Sequence, residues 1–296
     1  MNTLELVADV HSILGEGPAW DADSQTLYWV DIYGQTVHAF DPATGVDRAI
    51  SVPGRPGTVA PRASGGLIIA IDDGVASLDF ATGACEILCQ PEPHAPAGRP
   101  RNRFNDGKCD PAGRFWIGTM ENAEQAPVGA LYRVDADLSV HTMLTGITIA
   151  NGLTWSPDHR SMYYIDSAAK CVWAFDYDID SGTIANRRTV VEVPPDGGFP
   201  DGMTCDAEGM IWVAYWGAWC VKRHDPATGR TLQTIDVPVE QASACCFGGP
   251  DLQDLYITTA SARQQPDHLA ATQPHAGGLY RIHLPTPGCE TWKFEG

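Results

Sequence analysis

DPAGRFWIGT (110–119) and DAEGMIWVAY (206–215) are two spellings of one phrase: a turn opened by Asp and closed around Gly, then a strand of aliphatic and aromatic residues. The phrase recurs with drift as DADSQTLYWVD (21–31), SGGLIIAID (64–72), SPDHRSMYYID (156–166) and PDLQDLYITT (250–259). Each copy is followed by a second short strand that often ends in Asp and a turn. These read VHAFDPATG (37–45), VASLDFATG (75–83), LYRVDADL (131–138), VWAFDYDIDSG (172–182), VKRHDPATG (221–229) and LYRIHLP (279–285). Aligned at Trp29, Ile69, Trp116, Tyr164, Trp212 and Ile257, the copies are spaced by 40, 47, 48, 48 and 45 residues. A four-stranded propeller blade occupies roughly 40–50 residues. Six copies therefore predict an all-β, six-bladed β-propeller occupying residues 1–296 as one domain. A sandwich would need about seven strands per roughly 100 residues and does not predict this repeat.

The ring must close, because an open end leaves an unpaired sheet edge. LELVAD (4–9) and ETWKFEG (290–296) are both strand-like, and both are expected to pair within one blade. No long segment sustains a 3.6-residue period, and residues 263–273 are expected to form at most a short insertion.

Composition narrows the function classes. With 44% hydrophobic and 19% charged residues, the chain has apolar material for a core and does not read as disordered. A formal net charge of −18 disfavours phosphate backbones and anionic membrane surfaces, so neither nucleic acid nor membrane is an expected partner. The N-terminus lacks the basic start and apolar run of a signal peptide, and no apolar run approaches the ~20 residues of a spanning helix. Nine cysteines without C-x-x-C spacing read as small core residues in a reducing compartment. The expectation is a cytoplasmic protein, monomeric or weakly homo-oligomeric.

Inner strands of a propeller converge on its axis, so equivalent positions in successive blades meet there. Five residues before the residue that opens the phrase stand Glu16, Asn105, Asn151 and Asp201 in four of the blades. Glycine follows directly in three of them, and Asp106 intervenes before Gly107 in the fourth. One Asx-Gly pair by itself reads as a turn. Four oxygen-bearing side chains at one register read instead as a cup for a hard divalent cation. Arg101, Arg103 and Lys108 crowd the same stretch and suit a hydroxylated or anionic small molecule. Phe199, Trp216 and Trp219 are candidates to wall the channel mouth.

These residues resemble the family containing regucalcin (senescence marker protein), gluconolactonases and the luciferin-regenerating enzyme. The resemblance rests on LGEGPAW (14–20), NRFNDGKCDPAGRFWIGTM (102–120), ANGLTWSPD (150–158), SMYYIDS (161–167), FDYDIDSGTIANRR (175–188), FPDGMTCDAEGMIWVA (199–214) and CCFGGPD (245–251). It implies one divalent metal on Glu16, Asn151 and Asp201, with Arg103 and Asn105 contacting a substrate that is a sugar lactone. Glucono-, xylono- and arabinonolactone are the expected kinds. Where many relatives carry a substrate-contacting Glu this chain has Ala123, flanked by Glu121 and Glu124. Glu121 is taken as the substrate contact, with Glu124 as the other possibility.

In the mechanism so implied, Asp201 is both metal ligand and general base, and Asp106 is the second candidate base. The metal is Ca, Mn, Mg, Fe(II) or Zn, since oxygen ligands tolerate all five. No G-x-S-x-G or H-E-x-x-H supports a serine hydrolase or zinc peptidase. The competing readings are a non-catalytic calcium-binding regulatory propeller, an interaction scaffold, and a metal-dependent esterase or phosphotriesterase.

Overall fold

Strands that are apolar along their whole length need neighbours on both faces, and the fold supplies them. The computed structural model describes residues 3–95, 98–99 and 101–296. Its strands form six four-stranded antiparallel sheets, the blades I to VI in chain order. The inner strands are Gly15–Asp21, Thr58–Pro61, Arg103–Cys109, Ala150–Trp155, Phe199–Cys205 and Ala242–Gly248. Each inner strand packs beside the next around the ring, and that of blade VI meets that of blade I.

The repeated phrase is the second strand of each blade. Phe115–Met120 is buried at every residue, because the flanking blades cover both of its faces. The outermost strands, such as Val46–Ser51, are mostly exposed. Their composition is correspondingly polar.

The Asp that opens the phrase has a structural task. Asp110 accepts from the backbone N–H of Ala112 and Arg114 at 3.0 and 2.9 Å, and from Trp116 Nε1 at 2.9 Å. It also accepts from Tyr177 Oη at 2.7 Å, which joins blade III to blade IV. Asp206 repeats this with Glu208, Met210 and Trp212 Nε1, and adds Arg223 Nε at 2.7 Å. Both carboxylates are fully buried. Asp110→Ala strands several buried donors at once and is expected to cost about 3 kcal/mol or more of unfolding free energy. Urea denaturation measures it; a loss under about 1 kcal/mol would deny Asp110 this role.

Closure departs from expectation in one respect. Glu5–Ala8 does pair with Leu279–His283 as the outer strand of blade VI. The C-terminal segment does not enter a blade. It crosses the end of the ring, where Thr291 Oγ1 donates to Trp20 O at 2.8 Å, Phe294 N to Pro61 O at 2.9 Å and Glu295 N to Gly113 O at 3.0 Å. The apolar side chains explain the route. Phe294 is fully buried beside Phe115, and Trp292 stands edge-on to Trp155. A fifth outer strand would have left both rings in water. The insertion in blade VI contains one short helix, Pro266–Thr272.

Among the described residues no helix is long and apolar enough to cross a membrane. All nine cysteines are unbridged.

Candidate active site

The Asx-Gly and Glu-Gly pairs lie inside strands and do not build turns. In five of the six inner strands the pairing register slips at the axial position: Glu16/Ala19, Asn105/Gly107, Asn151/Leu153, Pro200/Met203 and Ala242/Ala244. Such bulges re-aim a side chain out of the pleat, here toward the axis. The following glycine is required by crowding. A Cβ on Gly152 would sit 2.5 Å from Asp201 O, and one on Gly202 would collide with Ala244 Cβ. In blade III, Asp106 takes the left-handed backbone (φ 49°) that Gly17 takes in blade I (φ 53°).

The result is a cavity of about 430 Å³ at one end of the channel. Glu16, Asn105, Asn151 and Asp201 line it together with Arg103. All five are buried, at 4–6% exposure. Asn105 Nδ2 donates to Ala150 O at 2.5 Å and to Asn151 Oδ1 at 3.0 Å, so its own oxygen faces Arg103 Nη1 at 2.5 Å. Asn151 Nδ2 donates to Ser167 Oγ at 2.8 Å, and that hydroxyl donates to Pro200 O at 2.6 Å. This chain fixes Asn151 with its amide oxygen toward the ring. Asn105 is thereby separated from the other three: its oxygen is committed to Arg103.

The acids of the cup oppose one another. Burial, with the Asp106 charge second, pushes the Glu16 carboxyl up to about 8. Burial also drives Asp201 well above the carboxylate range, with the Glu16 charge next. Among the described residues, Asp201 Oδ1 is buried without a hydrogen-bond partner, and so is Arg103 Nε. Burial lowers the Arg103 guanidinium pKa.

A divalent cation fits this donor set. Two carboxylates would neutralise it, the oriented Asn151 amide adds a neutral oxygen, and the unpaired Asp201 Oδ1 would gain a partner. Among the described residues no three His, Cys, Asp or Glu side chains are grouped to hold a metal. The mixed carboxylate–amide set is therefore hard and oxygen-rich, unlike a thiolate or imidazole zinc site.

Two expected site residues lie elsewhere. Glu121 does not line the cavity: it pairs with Arg99 at 2.6 Å and accepts from Ala126 N at 2.9 Å, closing its own loop. The acid that reaches the cavity is Glu124, which makes a two-pronged ion pair with Arg263 of blade VI, one prong at 3.0 Å. Asp106 is also outside the cavity lining. It is buried between Asn105 and Gly107, accepts from Gly107 N at 2.7 Å, and acts on the cup through its charge. Of the neighbouring cations only Arg103 enters. Lys108 Nζ donates to Met203 O at 2.8 Å deeper in the channel, and Arg101 meets Asp73 at 3.4 Å. Phe199 and Trp216 line the cavity, whereas Trp219 does not.

Sequence reading missed Tyr33, Ser167 and Arg263. All three follow the second strand of their blades, as Glu124 does, and Trp216 is the last residue of the second strand of its own blade. Comparing the loops after that strand would have singled them out, since each opens at the same mouth.

Residues 14–261 match the family described as SMP-30/Gluconolactonase/LRE-like region. The chain belongs to this family. This SMP-30/gluconolactonase member is 41% identical to regucalcin of Danio rerio over 296 residues, covering 99% of this chain and 98% of the relative. It is 37% identical to the candidate sugar lactone lactonase YvrE of Bacillus subtilis (strain 168), covering 98% of each. Among solved structures, a luciferin-regenerating enzyme superposes with a TM-score of 0.90 at 32% identity over all of both chains. Regucalcin from Agrobacterium tumefaciens, described as a calcium-binding protein, gives 0.91 at 28% identity, covering 100% of this chain and 98% of that one.

Proposed function

We propose that this propeller hydrolyses sugar lactones, the cyclic esters of aldonic acids, with one divalent cation held by Glu16, Asn151 and Asp201. The observation that carries the reading is the pair of buried, mutually repelling carboxylates. They share a cavity with an oriented amide oxygen and a buried arginine whose Nε–H is unpaired. The relatives named for sugar lactone hydrolysis support the same substrate class. Fe(II), Mn, Mg, Ca and Zn all suit the donors.

When bound there, the cation would supply Lewis acidity toward the lactone carbonyl and would acidify a water. Asp201 takes the proton of the attacking water on the carboxylate oxygen that the cation would leave free. The water oxygen bonds to the carbonyl carbon, the ring C–O bond breaks, and the ring oxygen takes the proton back from Asp201 and leaves as a hydroxyl. Arg103, which lines the cavity, donates to substrate oxygen and holds the carbonyl over the cup. Asn105 braces Arg103 against Asn151 and borders the substrate space. Glu124, oriented by Arg263, accepts from sugar hydroxyls in place of the acid absent at Ala123. The chain acts as one domain on a small molecule. A reducing, cytoplasmic setting belongs to this reading, supported by the unbridged cysteines.

Initial rates of acid release from glucono-, xylono- and arabinonolactone, with chelator and then with each metal restored, test the proposal. Loss with chelator and recovery with metal is the expected result. Undiminished rates in chelator would reject the metal's role. The regucalcin structure described as calcium-binding favours a second reading, calcium capture without turnover. Tight calcium binding with no hydrolysis of any lactone would establish that reading instead.

The two acids beside Ala123 should separate kinetically. Glu124→Gln is expected to raise KM for aldonolactones about tenfold, the worth of a charged hydrogen bond. Glu121→Gln should stay within about twofold, since among the described residues Glu121 bonds only its own loop and Arg99. The reverse order would restore Glu121 as the substrate contact.

A further inference from the structure

At the end of the channel opposite the cavity, a small space is lined by Lys108, Cys246, Cys289 and Glu290. Cys289 lies in the C-terminal segment and is half-buried, while Cys205 ends the inner strand of blade V and is buried. The two are held together by backbone and side chain. Cys289 N donates to Cys205 O at 3.0 Å, and both thiols donate to a single acceptor, Asp206 O, at 3.2 Å from Cys289 Sγ and 3.5 Å from Cys205 Sγ. We propose that Cys205 and Cys289 are an oxidisable dithiol whose reversible disulfide fastens the C-terminal segment to blade V.

The other cysteines lack this arrangement. Cys245 and Cys246 are adjacent in one strand, and their thiols turn to different carbonyls, Trp212 O and Phe247 O. Cys85 and Cys89 stand at opposite ends of one outer strand. Within the proposed pair the partners differ in reactivity. Cys289 borders the small cavity, and when it ionises the Cys205 thiol can turn its one S–H from Asp206 O to the Cys289 sulfur, which holds the Cys289 pKa below the ordinary value. An accessible, acidified thiol beside a buried second thiol is the arrangement in which one attacks and the other resolves.

The oxidant is a peroxide. Cys289 thiolate attacks one oxygen of hydrogen peroxide, the O–O bond breaks, and the departing hydroxide takes a proton as water. The Cys205 sulfur then attacks the Cys289 sulfenic sulfur, the S–S bond forms, and the S–O bond breaks with loss of a second water. Two thiols lose two electrons and two protons, and the peroxide is reduced to two waters. A dithiol reductant reverses the step. The bond would tie blade V to a segment already hydrogen-bonded to blades I, II and III through Trp20, Pro61 and Gly113. Release of that segment would then need a covalent bond to break, so the oxidised ring should melt later.

The test uses the full-length protein, treated with hydrogen peroxide and then quenched. Thiol titration should fall from nine to seven, non-reducing peptide mapping should find Cys205 joined to Cys289, and Tm should rise by roughly 5 °C. Dithiothreitol should reverse all three. Cys289→Ser and, separately, Cys205→Ser should each remove the linkage and the Tm rise, whereas Cys85→Ser should keep both. Nine surviving thiols, or a linkage between any other pair, would overturn the proposal.

Discussion

Asp201→Asn is expected to lower lactone turnover by about 10³-fold or more while making the chelated protein more heat-stable at pH 8. The two halves have one cause. Asp201 and Glu16 share the cavity; burial raises the cost of charging both, with the Glu16 charge adding to it at Asp201 and the Asp106 charge at Glu16. A carboxyl whose pKa is higher folded than unfolded binds more protons in the folded state across the interval between the two values. Its stabilising contribution is full below the unfolded value and is lost as pH rises through the folded one. For Glu16 that interval runs from the ordinary 4.5 to about 8, and Asp201 shifts in the same direction. Without metal the wild-type ring should therefore melt earlier at pH 8 than at pH 5. The asparagine variant, with one acid removed, should lose much of that difference. Added metal should raise Tm of the wild type and not of the variant. Calorimetry in chelator and in metal at both pH values measures all of this. Wild-type turnover in the variant, or a chelated Tm below that of the wild type at pH 8, would contradict the assignment.

Arg103→Ala should reduce kcat/KM by about 10²–10³-fold and leave metal affinity equal or higher. The guanidinium is buried, lies 6.0 Å from the Tyr33 ring, and holds Asn105 Oδ1 at 2.5 Å while its Nε–H stays unpaired. Its removal deletes the donor proposed to position the lactone and leaves the Asn105 oxygen without its cationic partner. By charge alone, removing a cation near the cup strengthens the cup's attraction for a metal. Arg103→Lys should recover little, because an ammonium cannot reproduce the planar fork. Isothermal titration with Mn or Ca separates the two effects. Collapsed metal affinity in Arg103→Ala would show that Arg103 supports the cup itself and not the substrate.

Glu124 marks the boundary of what sequence can convey at this site. Resemblance led to the position of Ala123 and stopped between two acids. Backbone direction in the loop decided between them: Glu121 folds back onto Ala126 N, and Glu124, with a left-handed backbone at φ 58°, projects to Arg263. Arg263 is 139 residues away in another blade, so a comparison of loop positions can mark each residue but no local pattern announces the pair. The C-terminal segment was misassigned for a related reason. A strand-like sequence reports that a segment can lie extended; what it lies against depends on where Trp292 and Phe294 find apolar partners.

Six blades and the axial register were legible from residues alone. Each blade repeats one pattern of burial, so its second strand repeats one pattern of apolar residues, and ring symmetry converts equal position into shared place. Direction and partnership were decided only in three dimensions. Which oxygen of Asn105 and Asn151 faces the cup, which acid enters from the mouth, and which two of nine cysteines meet all depend on contacts between blades distant in the chain. Such contacts leave no period in the sequence, because each is made once.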